Sequence, residues 1–328
     1  MAETMTLLEF QNRFRTEEDC VEFLEKLRWP NGFVCPNCNH DDGYPIRTRG
    51  LIQCANCRYH ASVTAGTIFH KTRVPLRNWF WLIYQVANDK GGASSTRLAS
   101  QLGMYQPTVW YLLHKIRHAM GSRDQNITLA GFIELDEAVI GPEARKKATY
   151  ERSGRDNNDD RKPPRPRFKT MGRKPTVPRK RKQQVEIIVM AERENARAGN
   201  IAMKVIEART RDDIRETVSL QVEDFKQSFK TDGAQAHWVL KTMGHMLEAY
   251  PISGPESCEE LPIVHRAISL LRRMLIGTYH GISAKHLQRY LQEFCFRFNR
   301  RDKQQAISES LLRACVFTVP MRYAEVIL

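Results

Sequence analysis

Four cysteines, Cys35, Cys38, Cys54 and Cys57, stand as two C-x2-C pairs separated by fifteen residues. Two such knuckles close on one tetrahedral metal ion. A thiolate site of this kind supplies the folding free energy that a segment too short to bury a core lacks. The segment 31–62 is therefore predicted to be a zinc ribbon, with Zn2+ as its structural ion. A redox pair or a rubredoxin-like iron site is compatible with the same ligands. The feature marks a binding module and leaves open what is bound.

The other cysteines, Cys20, Cys258, Cys295 and Cys315, are scattered through mostly apolar contexts and suggest no disulfide framework. The N-terminal MAETMTLLEF carries acids and no basic n-region, and no apolar run approaches the roughly eighteen residues of a membrane span. A cytoplasmic protein is expected. A length of 328 residues predicts two or more domains, and 51 Lys+Arg against 37 Asp+Glu leave a charge of +14 that favours a polyanionic partner. The charge is concentrated. Between Pro142 and Lys182 there are sixteen basic and five acidic residues, so +11 of the +14 lies in one stretch.

After the ribbon, VPLRNWFWLIYQVAND reads as a helix with Pro75 near its start and Trp79, Leu82, Ile83 and Val86 on one face. The stretch SSTRLASQLGMYQPTVWYLLHKIRHAM then places Ala99, Gly103, Val109 and Leu112 where a helix-turn-helix packs two helices across a tight turn. Pro107 suits the first turn of the second helix. That helix is expected to present Tyr105, Gln106, Thr108 and Tyr111 to bases, and Lys115, Arg117 and His118 to phosphates. An ordinary helical hairpin with solvated basic residues is the plainer alternative.

From residue 127 the period changes to two. In ITLAGFIELDEAVIG, Ile133, Leu135 and Val139 alternate with Glu134, Asp136 and Ala138, the pattern of a strand burying one face. Further strands are expected at Val185–Ala191, at Asn200–Ile206 and in QSFKTDG, which ends at Asp232, with a helix across TRDDIRETVSLQVEDF and helices thereafter. The tract 142–182, with six prolines and few apolar residues, cannot bury a core and is expected to be a loop. Its Arg179, Lys180, Arg181 and Lys182 are candidates for gripping DNA backbone.

The order strand, strand, strand, helix, strand is compatible with an RNase H-like α/β layer, in which the first and fourth strands are neighbours and Asp136 and Asp232 lie side by side. Two carboxylates brought together from distant sequence are costly unless a cation lies between them, which points to Mg2+. A polar strand end and an Asp-Gly turn are the plain explanations for each aspartate taken singly.

Nearly the whole chain outside the basic tract resembles the bacterial insertion-sequence transposases that join an N-terminal zinc ribbon to a DDE-type catalytic core. The strings that carry the resemblance are TEEDCVEFLEKLRWPNGFVCPNC, YHASVTAGTIFHKTRVPLRNWFW, ELDEAVIG, FKTDG, HRAISLLRRMLIGTYHG and HLQRYLQEFCFRFNRR. The resemblance implies metal-dependent strand cleavage and transfer by two-metal phosphoryl transfer. It carries the family's two metal-binding aspartates onto Asp136 and Asp232. The third acidic position falls on His265, with 32 residues between it and Asp232, and the basic residue seven places later on Arg272. Histidine is the main departure, because Mg2+ is hard and prefers oxygen, so Mn2+ is an alternative ion. Glu293, Glu137 and Glu134 are candidate compensating acids, although Glu293 has Arg289 and Arg297 four residues away as ordinary salt-bridge partners. His280, in GTYHG, is placed to touch DNA or brace the site, and His286 has no assigned role.

The expected architecture is multidomain. A helical lead-in (1–30), the zinc ribbon (31–62) and an all-α helix-turn-helix domain (63–122) precede an α/β RNase H-like core with a mixed sheet (127–316), into which the basic loop (142–182) is inserted. The expected partner is DNA, as terminal inverted repeats and as target, which makes the protein nucleoid-associated. The expected assembly is a homodimer or higher oligomer on DNA. The competing functions are a domesticated, non-catalytic DNA-binding protein and a ribbon-containing nuclease that cuts without joining.

Overall fold

Three apolar clusters organise the chain. The computed structural model describes residues 5–46, 50–141, 184–195, 197–223, 226–250, 260–302 and 307–327. The basic tract 142–182, with Arg179, Lys180, Arg181 and Lys182, lies outside the described residues.

The first cluster is helical. Helices α1 (Leu7–Arg13) and α2 (Glu17–Arg28) start at Thr6 and Thr16, each closing a reciprocal capping box with Glu9 or Asp19. They pack against α3 (Leu76–Asn88), where Trp79, Leu82, Ile83 and Val86 are all buried as the sequence periodicity predicts. Helix α4 (Ser95–Leu102) ends at Gly103, whose left-handed φ of 60° lets the chain turn sharply into α5 (Gln106–Asp124). Ala99, Val109 and Leu112 are buried at the crossing.

The ribbon is a three-stranded antiparallel sheet of β1 (Gly43–Ile46), β2 (Leu51–Cys54) and β3 (His60–Ser62). None of its described residues from 31 to 62 belongs to any of the three apolar clusters.

The second half is a five-stranded mixed sheet in the order β6-β5-β4-β7-β8. Strands β4 (Phe132–Ile140), β5 (Val185–Glu194) and β6 (Arg197–Ile206) form an antiparallel meander. After α6 (Arg211–Gln221), β7 (Ser228–Thr231) returns parallel to β4, so the first and fourth strands are neighbours. A short helix α7 (Val239–Thr242) leads to β8 (Met246–Ala249), a fifth, parallel strand that the periodicity did not predict.

Helices α8 (Pro262–Gly277) and α9 (Leu287–Phe298) cover one face of this sheet, and α6 and α7 cover the other. The expectation that β4 buries a single face is therefore corrected: Ile133 and Leu135 enter one core and Ala138 the other. Helix α10 (Ile307–Phe317) leaves the sheet and joins the N-terminal helical cluster, and α11 (Ala324–Ile327) ends the described chain.

Helix α5 is the axle between these parts. From Leu112 to Gly121 almost every residue is buried, because α9 and α10 pack on it in addition to α3 and α4. Tyr279, at the end of α8, reaches the turn after α3. The Ala93 N–H donates to its hydroxyl, and Gly92 (φ 91°) lies so close that a Cβ there would stand 2.6 Å from the same oxygen.

Candidate active site

The pairing of β4 with β7 ends at Leu135 opposite Thr231, so the next residue on each strand is an aspartate, Asp136 and Asp232. Burial raises the pKa of Asp136. His265 opposes that shift, while the neighbouring charges of Asp232 and Glu137 add to it. Asp232 is held below its ordinary value, chiefly by His237 and then by the Ala234 N–H, against partial burial.

Helix α8 brings the third group. Glu134, two residues before Asp136 on the same face of β4, is wholly buried and accepts the N–H groups of Ile263 and Val264 at 2.8 and 3.0 Å. These are orphan donors of the helix's first turn, and a carboxylate there also suits the helix dipole. With its start pinned in this way, α8 presents His265 to Asp136, Nε2 to Oδ2 at 3.7 Å. The histidine Nε2 is buried and has no hydrogen-bond partner. Two turns further along α8, Arg272 remains exposed and reaches toward the Val139 carbonyl at 3.4 Å.

Two carboxylates and an unpartnered imidazole nitrogen on three elements are donor types that Mg2+ and Mn2+ take, although only Asp136 and His265 are in contact here, and the tighter cluster among the described residues is Glu137, Asp232 and His237, with ligand atoms within 4.8 Å of one another. Asp136, Asp232 and His265 are the residues that would hold it. The expected acids separate differently. Glu134 is committed to the helix cap. Glu137 points to the opposite face of β4 from Asp136, where its carboxylate contacts His237.

Glu293 is not at this site. It is fully buried under α5, paired with Arg117 at 2.6 Å and Arg297 at 3.0 Å, and it accepts the Tyr279 hydroxyl. Arg297 is the partner expected from helical spacing, and Arg117 is a further one. That corrects a second expectation. Arg117 and Lys115 do not face solvent: Arg117 is 2 % exposed, with its guanidinium 4.0 Å from the Tyr290 ring centroid, and Lys115 is 5 % exposed between the rings of Trp79 and Tyr111. A basic residue late in a helix reads as surface in the sequence; here the helix runs on into the interior.

At the start of α5, Gln106 donates to Ser95 Oγ at 2.8 Å, and Tyr111 donates to the Met321 carbonyl at 2.9 Å. Thr108 is half-buried and Tyr105 is 76 % exposed. His286 packs against the rings of Trp110 and His114, away from the aspartates.

His237 was missed by sequence reasoning. Wholly buried in a 3₁₀ turn (Gln235–Trp238), it lies between Glu137, 2.8 Å from Nε2, and Asp232, 3.1 Å from Nδ1 at an angle too bent for a full hydrogen bond. Burial alone would lower its pKa. The contacts with Asp232 and Glu137 outweigh that and lift it to about 9.

In the ribbon, the two knuckles are near copies. Cys35 and Cys54 are buried, each accepts an N–H four residues on (Asn39 and Arg58), and both of those residues take a left-handed φ near 58°. All four sulfurs lie within 4.8 Å of one another, with Cys35–Cys57 at 3.6 Å and Cys38–Cys54 at 3.5 Å. The Asn37 amide and then the Tyr59 backbone N–H lower the Cys57 pKa to about 6. Four convergent thiols of this kind fit zinc.

Residues 128–299 match the family model of the ISXO2-like transposase domain, which is more than half of the chain. The chain belongs to the ISXO2-like transposase family. Residues 15–60 match the transposase zinc-ribbon domain. Such a transposase chain is also similar to a protein of Halobacterium salinarum described as an uncharacterized protein in transposable element ISH50. The two are 25 % identical over 303 residues, covering 87 % of this chain and 91 % of that one. No solved structure matches. No described helix is long and apolar enough to cross a membrane.

Proposed function

We propose that this chain is the DNA transposase of an insertion sequence, cutting at terminal inverted repeats and joining the freed ends to target DNA. The observation that carries the reading is that Asp136, within β4, and Asp232, just past β7, follow the last pair of the same parallel ladder, and that the unpartnered Nε2 of His265 on α8 faces Asp136. Family membership supports the same conclusion. The strand order and the mixed sheet support an RNase H-like core, and α4, Gly103 and α5 support a helix-turn-helix.

Mg2+ or Mn2+ held at this site would supply the chemistry of activating a water, and later a 3′-OH, for in-line attack on a phosphodiester. The protein's own contribution is placement. Asp136 and Asp232 set the donor positions, Glu134 fixes the helix that carries His265, and Arg272 offers positive charge to phosphate on the exposed side of the same helix. In the ribbon, Cys35, Cys38, Cys54 and Cys57 hold a structural Zn2+.

End recognition falls to the start of α5, where Tyr105, Gln106 and Thr108 stand at its entrance, with Tyr111 as a brace. Arg179, Lys180, Arg181 and Lys182 of the basic tract contact backbone phosphate. Lys115 and Arg117 have no part in it, being buried. Acting on two ends and a target requires at least two catalytic cores, hence a dimer on DNA.

The imidazole in place of a third carboxylate favours one other reading, a DNA-binding protein without catalysis. The test is incubation with duplexes carrying the repeats that flank the gene. Nicking at the repeat terminus in Mg2+ or Mn2+ supports the transposase; binding without nicking in either ion supports the alternative.

A further inference from the structure

His237 turns opposite ring nitrogens to two carboxylates, Nε2 to Glu137 Oε1 at 2.8 Å and Nδ1 to Asp232 Oδ1 at 3.1 Å. The ligand atoms of Glu137, Asp232 and His237 lie within 4.8 Å of one another, an arrangement that first suggests a cation site. The ring geometry argues against one. An imidazole offers a given ion one nitrogen, and here the two nitrogens address the two carboxylates separately. His237 is 0 % exposed and the Glu137 side chain 4 %, so the pair lies beneath the site, whereas the Asp232 side chain is 36 % exposed and faces outward.

Asp232 needs such support. It stands one residue past the last ladder pair of β7, and it also accepts the Ala234 N–H at 3.0 Å. A carboxylate at a strand end keeps rotamer freedom that must be removed before it can hold a metal at fixed geometry. Glu137 comes from β4, the strand that also carries Asp136, so a bridge from Glu137 through His237 to Asp232 ties the second aspartate to the strand of the first. We propose that His237, anchored by Glu137, is the positioning residue that fixes the Asp232 carboxylate for divalent-metal binding. The proposal rests on Asp232 being a metal ligand. Outer-shell partners of this kind are worth about 10–100-fold in metal affinity.

The two nitrogens can be tested one at a time. His237→Asn places an amide nitrogen where Nδ1 lies and keeps the contact with Asp232, whereas His237→Gln reaches the Nε2 position and keeps the contact with Glu137. Binding of Mn2+ alone to the full chain, followed by the electron paramagnetic resonance signal of the free ion, gives affinity without any turnover. The expected order is wild type tightest, then His237→Asn, with His237→Gln and His237→Ala weakened by about 10–100-fold. Thermal melts of the same proteins without metal check that each is folded. If His237→Ala does not fold, the Asn-against-Gln order carries the test. Gln binding as tightly as Asn, or Ala as tightly as wild type, overturns the positioning role while loss of binding in Asp232→Asn keeps the metal site. Unchanged Mn2+ affinity in Asp232→Asn overturns the metal-site reading itself.

Discussion

Arg117 and Glu293 form a wholly buried ion pair, Nε to Oε2 at 2.6 Å, between helices 176 residues apart in sequence. The pair joins α5 to α9, the helix that backs the sheet. Tyr279 extends it, donating to Glu293 and accepting from the Ala93 N–H, and Arg297 reaches on to the Asp89 carbonyl. The connection between the N-terminal helices and the five-stranded sheet thus includes a network of polar groups centred on a fully buried ion pair.

Removing one partner leaves a buried charge uncompensated, which costs about 3–5 kcal/mol. Glu293→Ala, which strands both Arg117 and Arg297, is expected to destabilise by that order in denaturant unfolding, and Arg117→Ala by less, because Arg297 still pairs with Glu293. An Arg117→Met, Glu293→Leu double variant is expected to be less unstable than the sum of the singles, with the unpaired Arg297 keeping recovery incomplete. A double variant as unstable as the sum of the singles would show that the pair is not one unit.

The same pair sets an acid limit. Burial alone would raise the Glu293 pKa, but Arg117, followed by Arg297, holds it below the ordinary carboxylate value. Its stabilising contribution is therefore complete above the unfolded-state pKa of about 4.3 and is lost as pH falls through the lower folded-state value. The stability difference between wild type and Glu293→Gln should be constant from pH 5 to 7 and shrink below that window. A difference that grows on acidification contradicts the assignment.

The strands that carry Asp136 and Asp232 were legible because strands announce themselves by alternation, with Asp136 inside one such run and Asp232 just past another. The neighbour relation of β4 and β7 followed from element order. Strand β8 was not legible: MLEA is four residues long, with Met246 and Glu248 exposed, too short to establish a period. Glu134 read as a spare acid because nothing local shows that a helix start 129 residues later will fall on it. His237 was hidden for a related reason. Its anchor is Glu137, on the face of β4 turned away from Asp136 and 100 residues earlier. For Arg117, the i,i+4 rule pointed Glu293 at its own helix and could not reveal a partner from another.

Elemental analysis should find one zinc per chain, lost in a Cys35→Ser, Cys54→Ser variant. Because the described residues of 31–62 contribute to none of the apolar clusters, chelation should unfold the ribbon and leave the five-stranded sheet folded, read as amide protection lost in the ribbon alone. Global unfolding on chelation would contradict this.

Deleting residues 146–182 should weaken binding to all DNA sequences alike and flatten the dependence of affinity on salt, since about 0.9 of a counterion is released per phosphate contact. Discrimination between terminal-repeat and random duplex should survive. Its loss would move sequence reading from the start of α5 to the basic tract.

At position 265 the donor type is decisive. His265→Ala should lose cleavage in both Mg2+ and Mn2+, whereas His265→Glu should retain it and shift preference toward Mg2+, the harder ion. If His265→Ala cleaves as wild type does, the imidazole is not a ligand.

The central claim is that Asp136 and Asp232 hold catalytic metal at a site that does not read sequence. Cleavage and binding of one terminal-repeat duplex, measured side by side for wild type, Asp136→Asn and Asp232→Asn, test it most directly. The account predicts that both variants bind the duplex with near wild-type affinity and produce no strand cleavage in Mg2+ or Mn2+. Near-normal cleavage by either variant would contradict it.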